Sequence, residues 1–399
     1  MTSAAFSRRQ AVTAAAATAA VLAASAPAAS AAAARAVHGP PTIEQEPFGS
    51  VGGVAVSRYT LRNGAGMTVK ILTYGGIVQS VTLPDGPGGT VDVALGFPTL
   101  ADYVAHNSPI AGGGVYFGAL VGRYANRIAL GRFTLDGVTY QVPVNNNGNA
   151  LHGGTAGFDQ KVWAASTQRG ADTASLRLEY VSPDGEMGFP GTLTTVATYT
   201  LDNANRLSLS FRATTDKPTV VNLTNHSYWN LAGESSGDVY EQSLWLNSEL
   251  YTPVDATQIP TGSVDPTAGT PLDFAHPSAI GARVADADQQ LLIGQGYDLN
   301  WVLRSGSPAH PVLAARARDP HSGRTLSIST TQPGIQFYSG NFLTGTLVGS
   351  GGTAYRQSYG FALETQHYPD SPNHPNFPST VLRPGQVYQH TTVYELTDG

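Results

Sequence analysis

Five short segments of the chain concentrate amide, imidazole, guanidinium and carboxylate groups beside aromatic side chains. They lie at residues 122–127, 149–154, 222–230, 296–301 and 364–370. Each segment alone is typical of a loop whose polar side chains cap its own turns. Together they supply the donors and acceptors that hydroxyl groups need, and the aromatic faces on which an apolar ring face packs. This combination indicates a binding site for a sugar.

The groups available for catalysis are histidines and carboxylates. The sequence contains no P-loop, no His-Glu-x-x-His segment and no Gly-x-Gly-x-x-Gly segment that opens a helix. It contains no cysteine, which excludes disulfides, thiolate catalysis and zinc sites built on sulfur. The remaining chemistry is proton transfer by a positioned acid and base. We therefore expect an enzyme that needs neither a cofactor nor a metal.

The elements that must position these groups are strands. Charged residues make up only 13% of the sequence, where an average soluble domain has roughly 25%, and turn formers are abundant. Alternating apolar runs are joined by turn residues, and helical periodicity is nearly absent apart from one turn at 277–280. The pattern predicts hairpins of 54–61 with 67–72 around Asn63-Gly64, of 133–135 with 138–142 around Asp136-Gly137 and of 196–201 with 207–211, and a strand at 386–395.

This pattern predicts an all-β fold, a large antiparallel β-sandwich, because extensive sheets cover their apolar faces by packing in two layers. No change of composition divides the chain after Gln45. The formal net charge is −6 and no basic stripe is present, which argues against a nucleic-acid partner. We expect a small-molecule substrate, and a monomer or a weak dimer.

The N-terminal segment has the composition of an export signal. Arg8 and Arg9 precede an alanine-rich stretch without acidic residues. This predicts a cleaved signal peptide of the twin-arginine type over 1–36, a short linker at 37–46 and a catalytic domain at 47–399. The alternative is an uncleaved anchor, which alanine is too weakly hydrophobic to favour. We expect a periplasmic or extracellular protein that has no membrane contact after cleavage.

Six segments match one family's signatures. They are Gly-Arg-Tyr-Ala-Asn-Arg-Ile at 122–128, Asn-Ala-Leu-His-Gly-Gly at 149–154, Asn-Leu-Thr-Asn-His-Ser-Tyr at 222–228, Thr-Pro-Val-Asp at 252–255, Gln-Pro-Gly-Ile-Gln-Phe-Tyr at 332–338 and Glu-Thr-Gln-His-Tyr-Pro-Asp-Ser-Pro-Asn at 364–373. In these segments the chain resembles the galactose mutarotase (aldose 1-epimerase) family, from about Pro47 onward. It has Leu299 where the family often has His, and Trp229 where the family commonly has Phe.

The resemblance implies a galactose mutarotase-like supersandwich and the interconversion of the α- and β-anomers of free hexoses such as D-galactose and D-glucose. It implies that Glu364 is the catalytic base and His226 the catalytic acid. It further implies that the sugar is held by a set of polar side chains: Arg123, His152, Asp298, Asn126 and Gln332.

The implied reaction explains why one base and one acid are needed. Ring opening removes a proton from the C1 hydroxyl, O1, while another proton is delivered to the ring oxygen, O5. We assign Glu364 to O1 and His226 to O5, with the roles exchanged when the ring closes on the other face. The expected pH–rate profile is bell-shaped, with an acidic limb from the carboxylate and an alkaline limb from the imidazolium.

Three alternatives remain open from the sequence. The same chemistry on a phosphorylated hexose would need a phosphate pocket, to which Arg127 and Arg132 could contribute. A non-catalytic carbohydrate-binding sandwich would keep the aromatic and amide groups but has no need for an acid–base pair. A glycosidase or polysaccharide lyase would need two carboxylates at the bond, for which Glu364 and Asp298 are the candidates.

Overall fold

The computed structural model describes residues 39–107 and 114–398. The predicted signal peptide at 1–36 lies outside these described residues. Strands dominate the part of the chain that the structure covers, as the turn-rich and weakly charged sequence predicts. Within that part, no helix reaches the length and apolarity that crossing a bilayer requires.

The first strand corrects the predicted linker at 37–46. Strand β1 (Thr42–Val51) begins inside that segment and pairs antiparallel with β2 (Val54–Arg62). Ile43 packs against the main core, although the strand is largely exposed. Residues 42–46 therefore belong to the folded unit, because the pairing satisfies backbone groups that a linker would leave to water.

Three larger sheets organise the described residues, and the first is formed by consecutive strands. Its order follows the chain: β1, β2, β3 (Thr68–Leu72), β4 (Val78–Asp85) and β5 (Gly89–Asp92). Each connection is local, which is typical of an antiparallel meander.

The largest of these sheets has nine strands in the described chain and mixes early and late segments. In spatial order it comprises β11 (Ala164–Arg169), β12 (Thr173–Ser182), β13 (Leu193–Asp202), β14 (Arg206–Thr215), β30 (Tyr388–Thr397), β24 (Thr325–Thr330), β23 (Val312–Arg318), β18 (Ser243–Leu246) and β21 (Ser278–Ala279). The last long strand thus lies between two others in the middle of the sheet.

The third sheet, with six strands in the described chain, is referred to below as the site sheet. In spatial order it comprises β17 (Tyr228–Trp229), β28 (Phe361–Gln366), β25 (Gly334–Tyr338), β22 (Asp298–Val302), β19 (Leu250–Thr252) and β20 (Asp265–Pro266).

Short elements complete the described chain. The strand pairs are β6 (Leu120–Val121) with β16 (Thr224–Asn225), β7 (Arg127–Ile128) with β10 (Ala150–Leu151), β8 (Arg132–Leu135) with β9 (Val138–Gln141), β15 (Thr219–Val220) with β29 (Val381–Leu382), and β26 (Thr344–Val348) with β27 (Ala354–Arg356). The helices are α1 (Leu100–His106) and α2 (Gln289–Gly294), with 3₁₀ turns at Ala129–Gly131, Phe158–Gln160, Glu186–Gly188, Ile280–Ala282 and Ser371–Asn373.

The three predicted hairpins are confirmed as β2–β3, β8–β9 and β13–β14, and the late strand as β30. The turn expected at 277–280 is a two-residue strand followed by a 3₁₀ turn. Helices α1 and α2 were missed. They are short and begin at side-chain caps, since Thr99 accepts from the amide of Asp102, and Asp288 accepts from the amides of two following residues.

One core joins the three larger sheets as a sandwich. Its buried side chains include Leu61 of the first sheet, Leu178 and Tyr394 of the nine-stranded sheet, and Phe337 and Leu363 of the site sheet. Because side chains alternate along a strand, the neighbours of Phe337 and Leu363 face away from this core. The opposite face of the site sheet is therefore available for polar groups.

Candidate active site

A cavity of about 300 Å³ lies over the polar face of the site sheet. The sheet contributes Glu364, Asp298, Tyr338 and Tyr228 to the cavity lining, and the short strand β7 and loops supply the other polar groups. Five of the seven predicted site residues line this cavity: Asn126, His152, His226, Asp298 and Glu364. Arg123 and Gln332 are not among the residues that line it.

The strand register places the two carboxylates. Glu364 of β28 lies opposite Gln336 of β25, which in turn lies opposite Asn300 of β22. Asp298 lies two residues from Asn300, so it projects from the same face of the sheet. Gln336 Nε2 donates to Asp298 Oδ1 at 2.7 Å. Sheet pairing thus fixes the lateral spacing of Glu364 and Asp298.

Two tyrosine rings stack against His226. The Tyr228 ring lies at 5.1 Å and 28° to the imidazole, and the Tyr116 ring at 5.7 Å and 30°. The backbone is fixed as well, because the N–H of His226 donates to the carbonyl of Ala119, and its carbonyl accepts from the N–H of Gly118. The imidazole is therefore confined to one plane.

His152 is positioned by an unusual backbone conformation. Its φ is +51°, and that of the following Gly153 is +90°. A Cβ at Gly153 would lie 2.1 Å from the carbonyl oxygen of Gly122, so only glycine permits this approach. Nδ1 of His152 accepts the N–H of Asn126 at 3.2 Å, which requires the hydrogen of the neutral ring to be on Nε2. His152 thus presents a donor.

This tautomer bears on whether the site fits a metal. His152, His226 and Glu364 place one potential ligand atom each within 4.8 Å of one another. A metal on Nε2 of His152 would move the ring hydrogen to Nδ1, against the amide of Asn126. The arrangement fits recognition of a hydroxyl better than coordination. The expectation that no metal is required stays a prediction.

Glu364 and His226 form a buried pair, with 3.6 Å between His226 Nε2 and Glu364 Oε1. Burial lowers the pKa of His226 to about 4 and raises the pKa of Glu364 well above its ordinary value. The charge of Asp298 raises the Glu364 pKa further, whereas Arg127 lowers it. At a pH between the two pKa values, the pair binds one proton in total. The proton lies either on Glu364, so that both groups are neutral, or on His226, so that the two groups form an ion pair.

A row of polar side chains lies beside this pair. Arg127 Nη2 donates to Gln258 Oε1 at 2.6 Å, and Gln258 Nε2 donates to Asp298 Oδ2 at 2.6 Å. Arg127 Nε donates to Asn146 Oδ1 at 3.1 Å. The row therefore offers both a cation and an anion to hydroxyl groups in the cavity.

The position of Arg123 corrects its predicted role. Arg123 is buried behind the site and clamps the loop between β12 and β13. Its Nε donates to Ser182 Oγ, and its two terminal nitrogens donate to the carbonyls of Ser182, Pro183, Pro190 and Gly191 at 2.8–3.1 Å. No donor remains for a sugar, because all five N–H groups are used. Arg127, four residues later, is the arginine that reaches the cavity.

Gln332 is likewise outside the cavity. Its Nε2 donates to Tyr388 Oη at 3.1 Å, and its Oε1 lies 2.9 Å from Nδ1 of His367. It precedes β25, whereas Gln336 within that strand shares the face of Glu364. The two departures from the family pattern, Leu299 and Trp229, are both buried in the main core and do not touch the cavity.

Sequence reasoning assigned no site role to Gln336, Gln258 or the tyrosines around His226, and it gave Arg127 a specific role only in the phosphate alternative. Gln336 was recognisable, because it lies inside a quoted segment at the spacing of a strand. Gln258 carries no local signal, since its role depends on residues that are distant in sequence.

The fold and the site together define a sugar-binding β-sandwich with a buried carboxylate–imidazole pair, and comparisons with known proteins give its family. The family model for aldose 1-epimerase matches residues 57–395. The chain is 41% identical over 358 residues to galactose mutarotase from Rattus norvegicus, covering 89% of this chain and 99% of the relative. It is 39% identical over 340 residues to aldose 1-epimerase from Escherichia coli K12, covering 84% of this chain and 94% of the relative.

A solved structure agrees. The crystal structure of galactose 1-epimerase from Lactobacillus acidophilus aligns with a TM-score of 0.78 at 28% identity, covering 90% of this chain and 99% of that one. The chain therefore belongs to the aldose 1-epimerase family. It is an isomerase that acts at C1 of an aldose.

The two arginines are expected to respond differently to substitution. Arg123→Met should lower the free energy of unfolding by roughly 2–5 kcal/mol, because it strips hydrogen bonds from buried carbonyls. Its KM should stay near wild type. Arg127→Met should raise KM roughly tenfold or more, because it removes a charged donor from the cavity. Urea unfolding and steady-state polarimetry on both variants check this, and the opposite assignment of effects would contradict it.

Proposed function

We propose that this protein interconverts the α- and β-anomers of free aldohexoses such as D-galactose and D-glucose, with Glu364 and His226 as the acid–base pair. The observation that carries the proposal is the buried contact of 3.6 Å between His226 Nε2 and Glu364 Oε1 at the floor of a polar cavity. Ring opening of a hemiacetal needs one proton acceptor and one donor at neighbouring oxygens. This pair supplies both.

The proton count of the pair matches the reaction. In the ion-pair form, Glu364 takes the proton of O1 while His226 gives its proton to O5, and the C1–O5 bond breaks. The pair is then neutral, with the carboxyl protonated and the imidazole unprotonated. Rotation about the C1–C2 bond exposes the other face of the aldehyde. Closure returns a proton from Glu364 to O1 and one from O5 to His226.

The remaining side chains bind the sugar. His152 presents its Nε2 hydrogen, and Arg127 presents its guanidinium, as donors to hydroxyl oxygens. Asp298 accepts from hydroxyl groups. Asn126 Oδ1 accepts the N–H of Arg127, which leaves its amide nitrogen for the cavity. These contacts orient the ring so that O1 faces Glu364.

The surroundings favour a free sugar over the alternatives. Arg127 is already engaged by Gln258 and Asn146, and Asp298 beside it would repel a phosphate. Arg132 lies on the surface and donates to Gln141. A glycosidase needs two carboxylates at one bond, but the group facing Glu364 is an imidazole, and both oxygens of Asp298 accept from amides.

Substituting the base tests the assignment. Glu364→Gln keeps the size of the side chain but cannot accept the O1 proton. It should therefore lower kcat by roughly 10²–10⁴ with a modest change in KM, and His226→Asn should do likewise. Polarimetry of freshly dissolved α-D-glucose and α-D-galactose measures this. A folded Glu364→Gln variant with near wild-type kcat would leave a carbohydrate-binding module or a different base as the explanation.

The pKa shifts make the pH profile informative. Because burial lowers the His226 pKa to about 4 and raises that of Glu364, uptake of a second proton by the pair forms the acidic limb. Loss of the shared proton forms the alkaline limb. This reverses the order expected from the sequence. The acidic midpoint of kcat/KM should lie near pH 4. A midpoint near the ordinary imidazole value of about 6.5 would contradict it.

We also propose that the protein is exported through the twin-arginine route and acts outside the cytoplasm. Arg8 and Arg9 before an acid-free, alanine-rich stretch support this. Replacing both with lysine should leave the uncleaved precursor in the cytoplasm, as measured by immunoblotting of cell fractions. Export of the double variant at the wild-type level would refute the proposal.

A further inference from the structure

Gln258 occupies an unusual position between two charged side chains of the cavity. It is buried, lies in the loop that follows β19, and has a φ of +64°. The loop is closed by Asp255, whose Oδ1 accepts from the amides of Thr257 and Ile259, and by the N–H of Gln258, which donates to the carbonyl of Asp255. This loop delivers one amide side chain into the cavity.

The chemistry of its neighbours fixes the orientation of that amide. Arg127 can only donate, and an ionised Asp298 can only accept. The Oε1 of Gln258 must therefore face Arg127, and its Nε2 must face Asp298, both at 2.6 Å. A carboxylate or an alkyl group at this position would lose one or both bonds.

The amide keeps a cation and an anion from pairing directly. Guanidinium and carboxylate groups that are free to approach form bidentate ion pairs, which turn two N–H groups and both carboxylate oxygens toward each other. With Gln336 on Oδ1 and Gln258 on Oδ2, the plane of the Asp298 carboxylate is set from both sides. Arg127 is held at a fixed distance by the same amide. Each group thereby keeps hydrogen-bonding capacity toward the cavity.

We propose that Gln258 is a positioning residue that holds Arg127 and Asp298 apart and oriented toward the hydroxyl groups of the sugar. It acts through these two residues and transfers no proton itself. The proposal rests on the proposed interconversion of sugar anomers, because it assigns these side chains to the same substrate.

The first test removes both hydrogen bonds. Gln258→Leu retains most of the volume but leaves Arg127 and Asp298 free to pair. KM should rise roughly tenfold or more, since bonds to charged groups are lost, while kcat falls less. Ala256→Ser, an exposed position in the same loop, is the matched control and should behave as wild type. A folded Gln258→Leu variant with wild-type KM would overturn the proposal.

The second test uses a variant that regains the bonding pattern on protonation. In Gln258→Glu, the ionised carboxylate accepts from Arg127 but repels Asp298. Once protonated, its hydroxyl donates to Asp298 and its carbonyl accepts from Arg127, as the amide does. Its KM should therefore fall toward the wild-type value as the pH is lowered, unlike that of Gln258→Leu. Besides Arg127 and Asp298, the titratable groups that line the cavity are Glu364, His226, His152, Tyr116, Tyr228 and Tyr338, and they are common to both variants.

The outcomes separate the two claims. If wild-type protein does not interconvert anomers, the proposed function fails. If wild type is active but the KM of Gln258→Glu changes with pH in parallel with the KM of wild type, the positioning role fails. This holds whether or not the KM of the variant is higher at every pH. This second comparison stands even where Gln258→Leu does not fold, which circular dichroism would reveal. Recovery of KM at low pH in the Glu variant alone supports the proposal.

Discussion

The exclusion of water from Glu364 and His226 is the constraint on which the site depends. Burial disfavours the charged form of both groups and leaves the pair to share one proton. Two tyrosine rings confine the imidazole, and a sheet strand carries the carboxylate. Burial therefore yields a pair that can switch between its ion-pair and neutral forms without gaining or losing a proton. The reaction requires such a pair, because ring closure reverses the proton transfers of ring opening.

The site sheet contributes to both the core and the cavity, because successive side chains along a strand point to opposite faces of the sheet. Phe337 and Leu363 pack in the core of the sandwich, while on the other face Glu364 lines the cavity and Gln336 holds the cavity carboxylate of Asp298. A register slip of one residue would exchange these faces. Packing of the core therefore fixes the catalytic geometry. The charges beside the pair, Arg127 and Asp298, act in opposite directions on Glu364, so their placement sets how readily it accepts a proton.

Local patterns in the sequence predicted local structure well. Asn63-Gly64 and Asp136-Gly137 placed two hairpins, because such dipeptides adopt the backbone conformations that tight turns demand. The segments that form the site were also found. Within two of them the wrong residue was chosen: Arg127, not Arg123, reaches the cavity, and Gln336, not Gln332, holds the cavity carboxylate of Asp298. The sequence does not state which way a side chain points when two of the same type lie four residues apart. Only the strand register and the clamped loop at 182–191 decide it.

The central location of β30 has a consequence for how the protein acquires its structure. This strand joins β14 to β24, and the hydroxyls of Ser210 and Thr391 meet across 181 residues of chain. Until residues 388–397 have been synthesised, β14 and β24 remain unpaired edges with exposed backbone groups. The nascent chain must therefore remain soluble with its largest sheet divided in two. Contacts this distant in sequence slow folding, so this stage favours association between incomplete chains.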